Sequence, residues 1–206
     1  MNLYMMCRAI MPGAFSPIPE GHAVRALKPE ELGLWLAFPF DSDEEAAQHQ
    51  GDMLAYYNRV YAPRAAEFFQ ACKLLCDPSG TPLATAFLWR SYEGRMLTLH
   101  WLKTRKAAEG RGLGRALLSH VLGGLTAADA PLYLHTHPEC VAAIKLYTDF
   151  GFELIKGPVA GCRSNDLAAG LAALQKEMRP EAFRQLKVCQ APPEFYTIAA
   201  REAAEF

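Results

Sequence analysis

The sequence predicts a mixed α/β fold, with a mostly antiparallel central sheet and crossover helices. Three observations predict it. Strand-like runs at 71–76, 83–90 and 96–103 follow one another closely, separated only by Asp77-Pro78-Ser79-Gly80 and Tyr92-Glu93-Gly94-Arg95. That spacing leaves room for turns and nothing longer, so the runs read as an antiparallel meander. From about residue 112 the apolar period becomes helical, through Leu113, Leu117, Leu118, Val121, Leu122 and Leu125. A strand at 131–137, a helix at 141–150 and a strand at 152–156 then alternate as crossover connections do.

The elements follow in order. Residues 1–20 are apolar but broken by Pro12, Pro17 and Pro19, and read as an N-terminal arm or covering segment. Residues 22–27 form a short strand. Lys28-Pro29-Glu30-Glu31 opens a helix, with proline and acids in its first turn; it carries Leu32, Leu34, Trp35 and Leu36 and stops before Pro39. Asp41 or Ser42 caps the next helix, 43–61, whose first-turn acids suit its positive end. Its inner stripe is Met53, Leu54, Tyr57, Val60 and Tyr61. Tyr56, Tyr57, Tyr61, Phe68 and Phe69 are either core packing or the wall of an acceptor pocket. Gly151 is placed to cap helix 141–150. Residues 157–163 read as a loop. A last helix, 164–178, is capped by Ser164 or Asn165, and residues 190–198 add a final strand.

The chain has 206 residues, the size of one domain, with a core at about 83–156 and a C-terminal extension at about 157–206. Its formal net charge of −1 argues against a broad nucleic-acid footprint. Six cysteines show no CxxC pair and read as free thiols in a reducing compartment. The first fifteen residues lack the basic start of a signal peptide, and no apolar stretch approaches the ~18 residues of a membrane span. These readings make the protein cytoplasmic, with neither membrane nor nucleic acid as partner.

The most informative string is Glu109-Gly110-Arg111-Gly112-Leu113-Gly114-Arg115, between a predicted strand and a predicted helix. Glycines let main-chain amides approach a ligand, and the first turn of a helix leaves its N–H groups unpaired. Together they make an anion site suited to a pyrophosphate. A dinucleotide fingerprint is excluded, because the sixth position is Arg115 counted from Gly110 and Leu117 counted from Gly112. A P-loop is excluded because no Gly-Lys-Ser or Gly-Lys-Thr exists.

This string resembles the Q/R-x-x-G-x-G/A loop of the GNAT acetyltransferase family. Ala143-Ile144-Lys145-Leu146-Tyr147-Thr148-Asp149-Phe150-Gly151-Phe152 resembles that family's A-I-x-L-Y-x-x-x-G-F signature. The resemblance implies a GNAT-like sheet with helices on both faces, and transfer of an acetyl group from acetyl-CoA to a primary amine of a small molecule or peptide by direct attack. It places Glu109, Gly110, Arg111, Gly112, Leu113, Gly114 and Arg115 at the donor's pyrophosphate, with Cys140 beside the donor's arm. The main chain of Leu102, Lys103 and Thr104 falls where the family polarises the thioester carbonyl. Tyr147 becomes the proton donor to the leaving thiolate, or else a packed tyrosine. His135 falls where some members place a base; His100 is a further base, and a water-mediated route or structural histidines are the alternatives. His135 and His137 share a strand face, but no ligand set is completed, so no metal is expected. Two departures stand out: Glu109 where the family has Gln or Arg, and Cys140 where it often has Asn. They support the alternative of a non-catalytic acyl-CoA-binding or sensing module. A homodimer through the C-terminal segment is compatible with either reading.

Overall fold

The computed structural model describes residues 1–157, 159–160, 163–200 and 205. In chain order the elements are β1 (Leu3–Cys7), β2 (Ala23–Ala26), α1 (Leu32–Ala37), α2 (Asp43–Val60), α3 (Ala65–Ala71), β3 (Lys73–Cys76), β4 (Pro82–Ser91) and β5 (Met96–Thr104). They continue as α4 (Leu113–Leu122), β6 (Leu132–Thr136), α5 (Val141–Asp149), β7 (Glu153–Ile155), β8 (Val159–Ala160), β9 (Arg163–Ser164), α6 (Leu167–Glu177), α7 (Pro180–Arg184), β10 (Val188–Cys189) and α8 (Pro193–Ala199). Eight strands form one mixed, mostly antiparallel sheet in the order β10-β7-β1-β6-β5-β4-β3-β2. The predicted α/β class and the meander are therefore both present.

The residues gather into two compact units: Met1–Phe15, Arg90–Thr98 and Leu125–Phe206 make the first, and Ser16–Trp89 with Leu99–Gly124 the second. The first is built around β1, whose five residues are all buried. This corrects the expectation of an arm at 1–20. β1 pairs antiparallel with β6, from Leu3↔Thr136 to Cys7↔Leu132, and with β7, where Met5 opposes Leu154. A strand bonded on both edges and covered on both faces reads as an unbroken apolar run. Burying Leu3, Met5 and Met6 contributes about 5–9 kcal/mol before entropy, enough to hold such a segment in the sheet. The prolines that suggested an arm all come later. Parallel pairs join β5 to β6 through Leu97↔Leu132, and β10 to β7 through Val188↔Leu154.

Two smaller expectations change in this unit. Helix α6 starts at Leu167 with Asp166 in the capping position rather than Ser164 or Asn165, and the Asp166 carboxylate accepts the Asn2 N–H at 2.7 Å. The strand expected at 190–198 is helix α8, because Pro193 fits the first helical turn, where an N–H is not needed. The strand beside β7 is Val188–Cys189 instead. Five cysteines, Cys7, Cys72, Cys76, Cys140 and Cys189, are free thiols; Cys162 lies outside the described residues.

The second unit packs α1, α2 and α3 around aromatic side chains. Trp35 lies 5.0 Å from Phe68 and 5.7 Å from both Tyr61 and Trp101, ring centre to ring centre. Ser42 caps α2 by accepting the Glu45 N–H at 3.1 Å. The inner face of α2 is Met53, Tyr57 and Val60. Leu54, expected there, is 40% exposed, since one residue past Met53 is a rotation of about 100° off that face. Helix α3 takes Ala71, so the following strand begins at Lys73. Leu113, Ala116 and Leu117 of α4 pack against Leu75, Ala84 and Ala86. Among the described residues no helix is long and apolar enough to cross a membrane, and no three His, Cys, Asp or Glu side chains are grouped to hold a metal.

Candidate active site

In the second unit, β5 leads through a short turn at Lys106–Ala108 to α4. Ala108 is buried with Leu113 and Ala116, which anchors the loop from below. Above that anchor the chain is open. Gly110 and Gly112 have φ of 75° and 78°, and a Cβ at either would meet nothing within 4 Å. The positive φ explains glycine at both positions. Gly112 occupies the capping position of α4 with no side-chain cap, and the first helical bond runs from the Ala116 N–H to the Gly112 carbonyl at 3.0 Å. The N–H groups of Leu113 and Gly114 thus open the helix without a carbonyl partner from its own turn. The Leu113 side chain is buried, so any contact it makes with a ligand is through the main chain. Arg111 and Gly112 are exposed, and Arg115 and Gly114 half-buried. The Glu109 side chain is 48% exposed and pairs with Lys106 at 3.5 Å.

The strand feeding this loop is kinked. Trp101 has φ of 51° within β5. A bulky residue in the left-handed region costs about 1–3 kcal/mol and persists only where its surroundings enforce it. Just beyond it stand Leu102, Lys103 and Thr104, all half-buried. Lys103 donates to Asp41 at 2.7 Å, and this bond first of all holds the Asp41 carboxyl below its usual value. Next to the kink, His100 is buried; burial pushes its imidazole down to about 3, so it is neutral, and its Nδ1 lies 2.5 Å from the Tyr61 hydroxyl. A ring so placed does not present Nδ1 to an incoming amine. Tyr57, Tyr61 and Phe68 are buried in the core, whereas Tyr56 and Phe69 pack against it half-buried. The aromatic cluster is thus mainly core.

In the first unit, α5 carries the second motif. Cys140 holds its capping position, exposed and making no side-chain cap. The helix ends in a Schellman arrangement: the Gly151 N–H reaches the Thr148 carbonyl and the Phe152 N–H the Tyr147 carbonyl, each at 3.0 Å. Gly151 has φ of 96°, and a Cβ there would lie 2.7 Å from the Ala9 carbonyl oxygen. The hydrophobic contact that accompanies this cap is Tyr147 on Phe152, ring centres 5.8 Å apart. The packing reading of Tyr147 is therefore real. Its hydroxyl nevertheless makes no hydrogen bond among the described residues, and burial raises it well above the usual tyrosine value, so it is protonated at neutral pH. On β6, His135 Nε2 lies 3.1 Å from Asn2 Oδ1 and Nδ1 lies 3.2 Å from Arg163. With both nitrogens engaged, His135 offers an amine no lone pair in this arrangement. His137 shares the face, 4.7 Å from His135, and contacts the Met1 carbonyl at 2.9 Å. Neither Asn2 nor Arg163 was legible as a histidine partner, because each comes from a distant part of the chain.

Residues 33–152 match the acetyltransferase (GNAT) family. The chain belongs to the GNAT family. A mycothiol acetyltransferase of Mycolicibacterium vanbaalenii is 34% identical over 103 residues, covering 41% of this chain and 33% of that protein. A GNAT-family acetyltransferase structure from Colwellia psychrerythraea aligns with a TM-score of 0.53 at 15% identity, over 74% of this chain and 52% of that one, and shows the shared fold. A GCN5-related N-acetyltransferase from Sphaerobacter thermophilus aligns at 0.47 and 16% identity, over 74% of this chain and 48% of that one. This GNAT chain thus spans a third of the relative's length and about half of each solved structure's.

Proposed function

We propose that the protein transfers an acetyl group from acetyl-CoA to a primary amine of a small molecule or peptide. The observation that carries this reading is the open loop at Gly110 and Gly112, with two left-handed glycines directly before the uncapped start of α4. Its free amides and the positive helix end suit the donor's pyrophosphate. Arg111 and Arg115 add positive charge near the loop, and Lys106, paired with Glu109 at 3.5 Å, offsets the charge of that carboxylate.

The amine nitrogen attacks the thioester carbonyl carbon, the carbon–sulfur bond breaks, and the sulfur leaves as thiolate. Main-chain N–H groups at Leu102–Thr104 stabilise charge on the carbonyl oxygen. Tyr147, protonated at neutral pH, gives its proton to the thiolate and takes one back from water, so the tyrosine is restored. The amine's proton leaves through water, since the nitrogens of His135 are engaged. The five free thiols support a reducing, cytoplasmic setting.

The test is release of the CoA thiol from acetyl-CoA against a panel of amines, paired with thermal shift by acetyl-CoA and by CoA. Thiol release that depends on one amine class supports the enzyme. A thermal shift without release by any amine would establish the acyl-CoA-binding alternative instead. No shift and no release would sink both.

A further inference from the structure

We propose that Tyr61 is a positioning residue for acetyl transfer: it fixes the kink of β5 through His100 and Trp101, and so aims the main-chain N–H groups just beyond the kink at the donor's carbonyl oxygen. The proposal rests on the acetyl-CoA reading above.

Successive side chains of a regular strand point to opposite faces. His100 and Trp101 are successive residues of β5, yet both reach one atom. Trp101 Nε1 donates to the Tyr61 hydroxyl oxygen at 2.9 Å, and His100 Nδ1 lies 2.5 Å from the same oxygen. The left-handed backbone at Trp101 reconciles the two. A strand relaxed to extended geometry would carry one of them away. The hydroxyl oxygen is therefore a gauge of the kink.

The hydrogen-bond inventory agrees. An indole N–H only donates, so the Tyr61 oxygen accepts from it. The hydroxyl then has one proton to give and one lone pair left, so it can bond the Nδ1 of a His100 kept neutral by burial in either tautomer. Tyr56 meets the Tyr61 ring edge-on at 5.5 Å. The ring that carries the hydroxyl is itself closely packed. It is fully buried, stacked on Phe68 at 4.8 Å and met edge-on by Trp89 at 5.2 Å. Its own N–H closes the end of α2 on the Tyr57 carbonyl at 2.8 Å. A residue needed for packing alone would lose little as phenylalanine. Here the hydroxyl joins a rigid core to the two residues on which the strand bends, immediately before Leu102.

The experiment compares wild type with Tyr61→Phe and Trp101→Phe, each of which removes one end of the bond between kink and core. Turnover is measured with the amine found above, and affinity for acetyl-CoA and for CoA by calorimetry. CoA lacks the acetyl carbonyl and reports everything except that contact. We expect kcat to fall ~10–100-fold, less than the ~10²–10³ typical of deleting an oxyanion donor, because the donor is misaligned rather than removed. Acceptor KM should stay within about twofold, and acetyl-CoA affinity should fall ~3–10-fold while CoA affinity does not change. A folded variant that keeps both the wild-type kcat and the wild-type ratio of acetyl-CoA to CoA affinity overturns the assignment, whatever it does to melting temperature. If Tyr61→Phe does not fold, Trp101→Phe decides by the same measurements. A wild-type protein that binds neither ligand removes the acetyl-CoA reading and the proposal with it. Wild-type turnover that survives in the variants removes only the role of Tyr61.

Discussion

Replacing Gly112 with alanine separates the loop's own energetics from what the loop binds. The added methyl meets no atom within 4 Å, so the unliganded protein loses only the backbone's ease at φ 78°. That strain is worth about 1–2 kcal/mol. For a chain of this size each kcal/mol moves Tm by about 2–4 °C, so the unliganded variant should melt about 2–8 °C lower. Acetyl-CoA at a hundred times its Kd stabilises wild type by ~2.7 kcal/mol, or about 5–11 °C. In the variant the methyl stands in the approach to the amides, and the ligand-induced shift should drop below about 2 °C, where 2 °C corresponds to under 1 kcal/mol. Differential scanning fluorimetry with and without acetyl-CoA reads both quantities from one protein. A variant that melts lower alone, yet is raised by acetyl-CoA as far as wild type, would refute the assignment of the pyrophosphate to this loop.

Other outcomes follow from the geometry. Tyr147→Phe keeps the contact with Phe152 and removes a hydroxyl with no hydrogen bond among the described residues; urea unfolding should change by less than about 0.5 kcal/mol while kcat falls ~10²–10⁴-fold. Glu109→Gln should leave acetyl-CoA affinity within about twofold in low salt, because the carboxylate pairs with Lys106; tighter binding that fades as salt rises would show the acid facing the pyrophosphate. His100 has a folded value near 3, below its unfolded value of about 6.5, so the stability it provides is complete above pH 6.5 and is lost as pH falls toward 3. Between pH 6.5 and 4.5 that is about 2–3 kcal/mol of unfolding free energy by denaturant titration, and His100→Asn should flatten this part of the profile.

Much of the fold was legible because its signals are local. Asp77-Pro78-Ser79-Gly80 turns the chain where the sequence says, with the Asp77 carboxylate accepting the Ser79 and Thr81 N–H groups. Ser42 caps α2 and Gly151 closes α5 as read. What was missed depends on partners far along the chain. Leu3–Cys7 has no alternation to mark it as a strand, and its edges are satisfied by residues near 134 and 154. The kink at Trp101 carries no glycine, so no residue type announces it; the side chain of Tyr61, forty positions earlier, meets it. The loop at Gly110 and Gly112 was legible for the opposite reason, since a left-handed backbone written in glycine is visible in the sequence. His135 looked available because sequence shows neighbours along a strand, not the Asn2 and Arg163 side chains that engage its ring.

The place of β1 orders events during synthesis. Its partner residues, from Thr136 to Leu132 on one side and Leu154 with Glu153 on the other, leave the ribosome only after the whole of the second unit has been made. At ~5–20 residues per second, Leu3 waits about 7–27 s for Thr136. Through that interval LYMMC is an unpaired apolar strand with both edges open, the kind of segment that chaperones bind and that pairs with other chains. The second unit, whose segments lie within residues 16–124, can meanwhile complete its aromatic core. Nascent chains stalled once residue 125 has cleared the ribosome should therefore protect the amides of α2 and β3 from exchange while leaving those of β1 open.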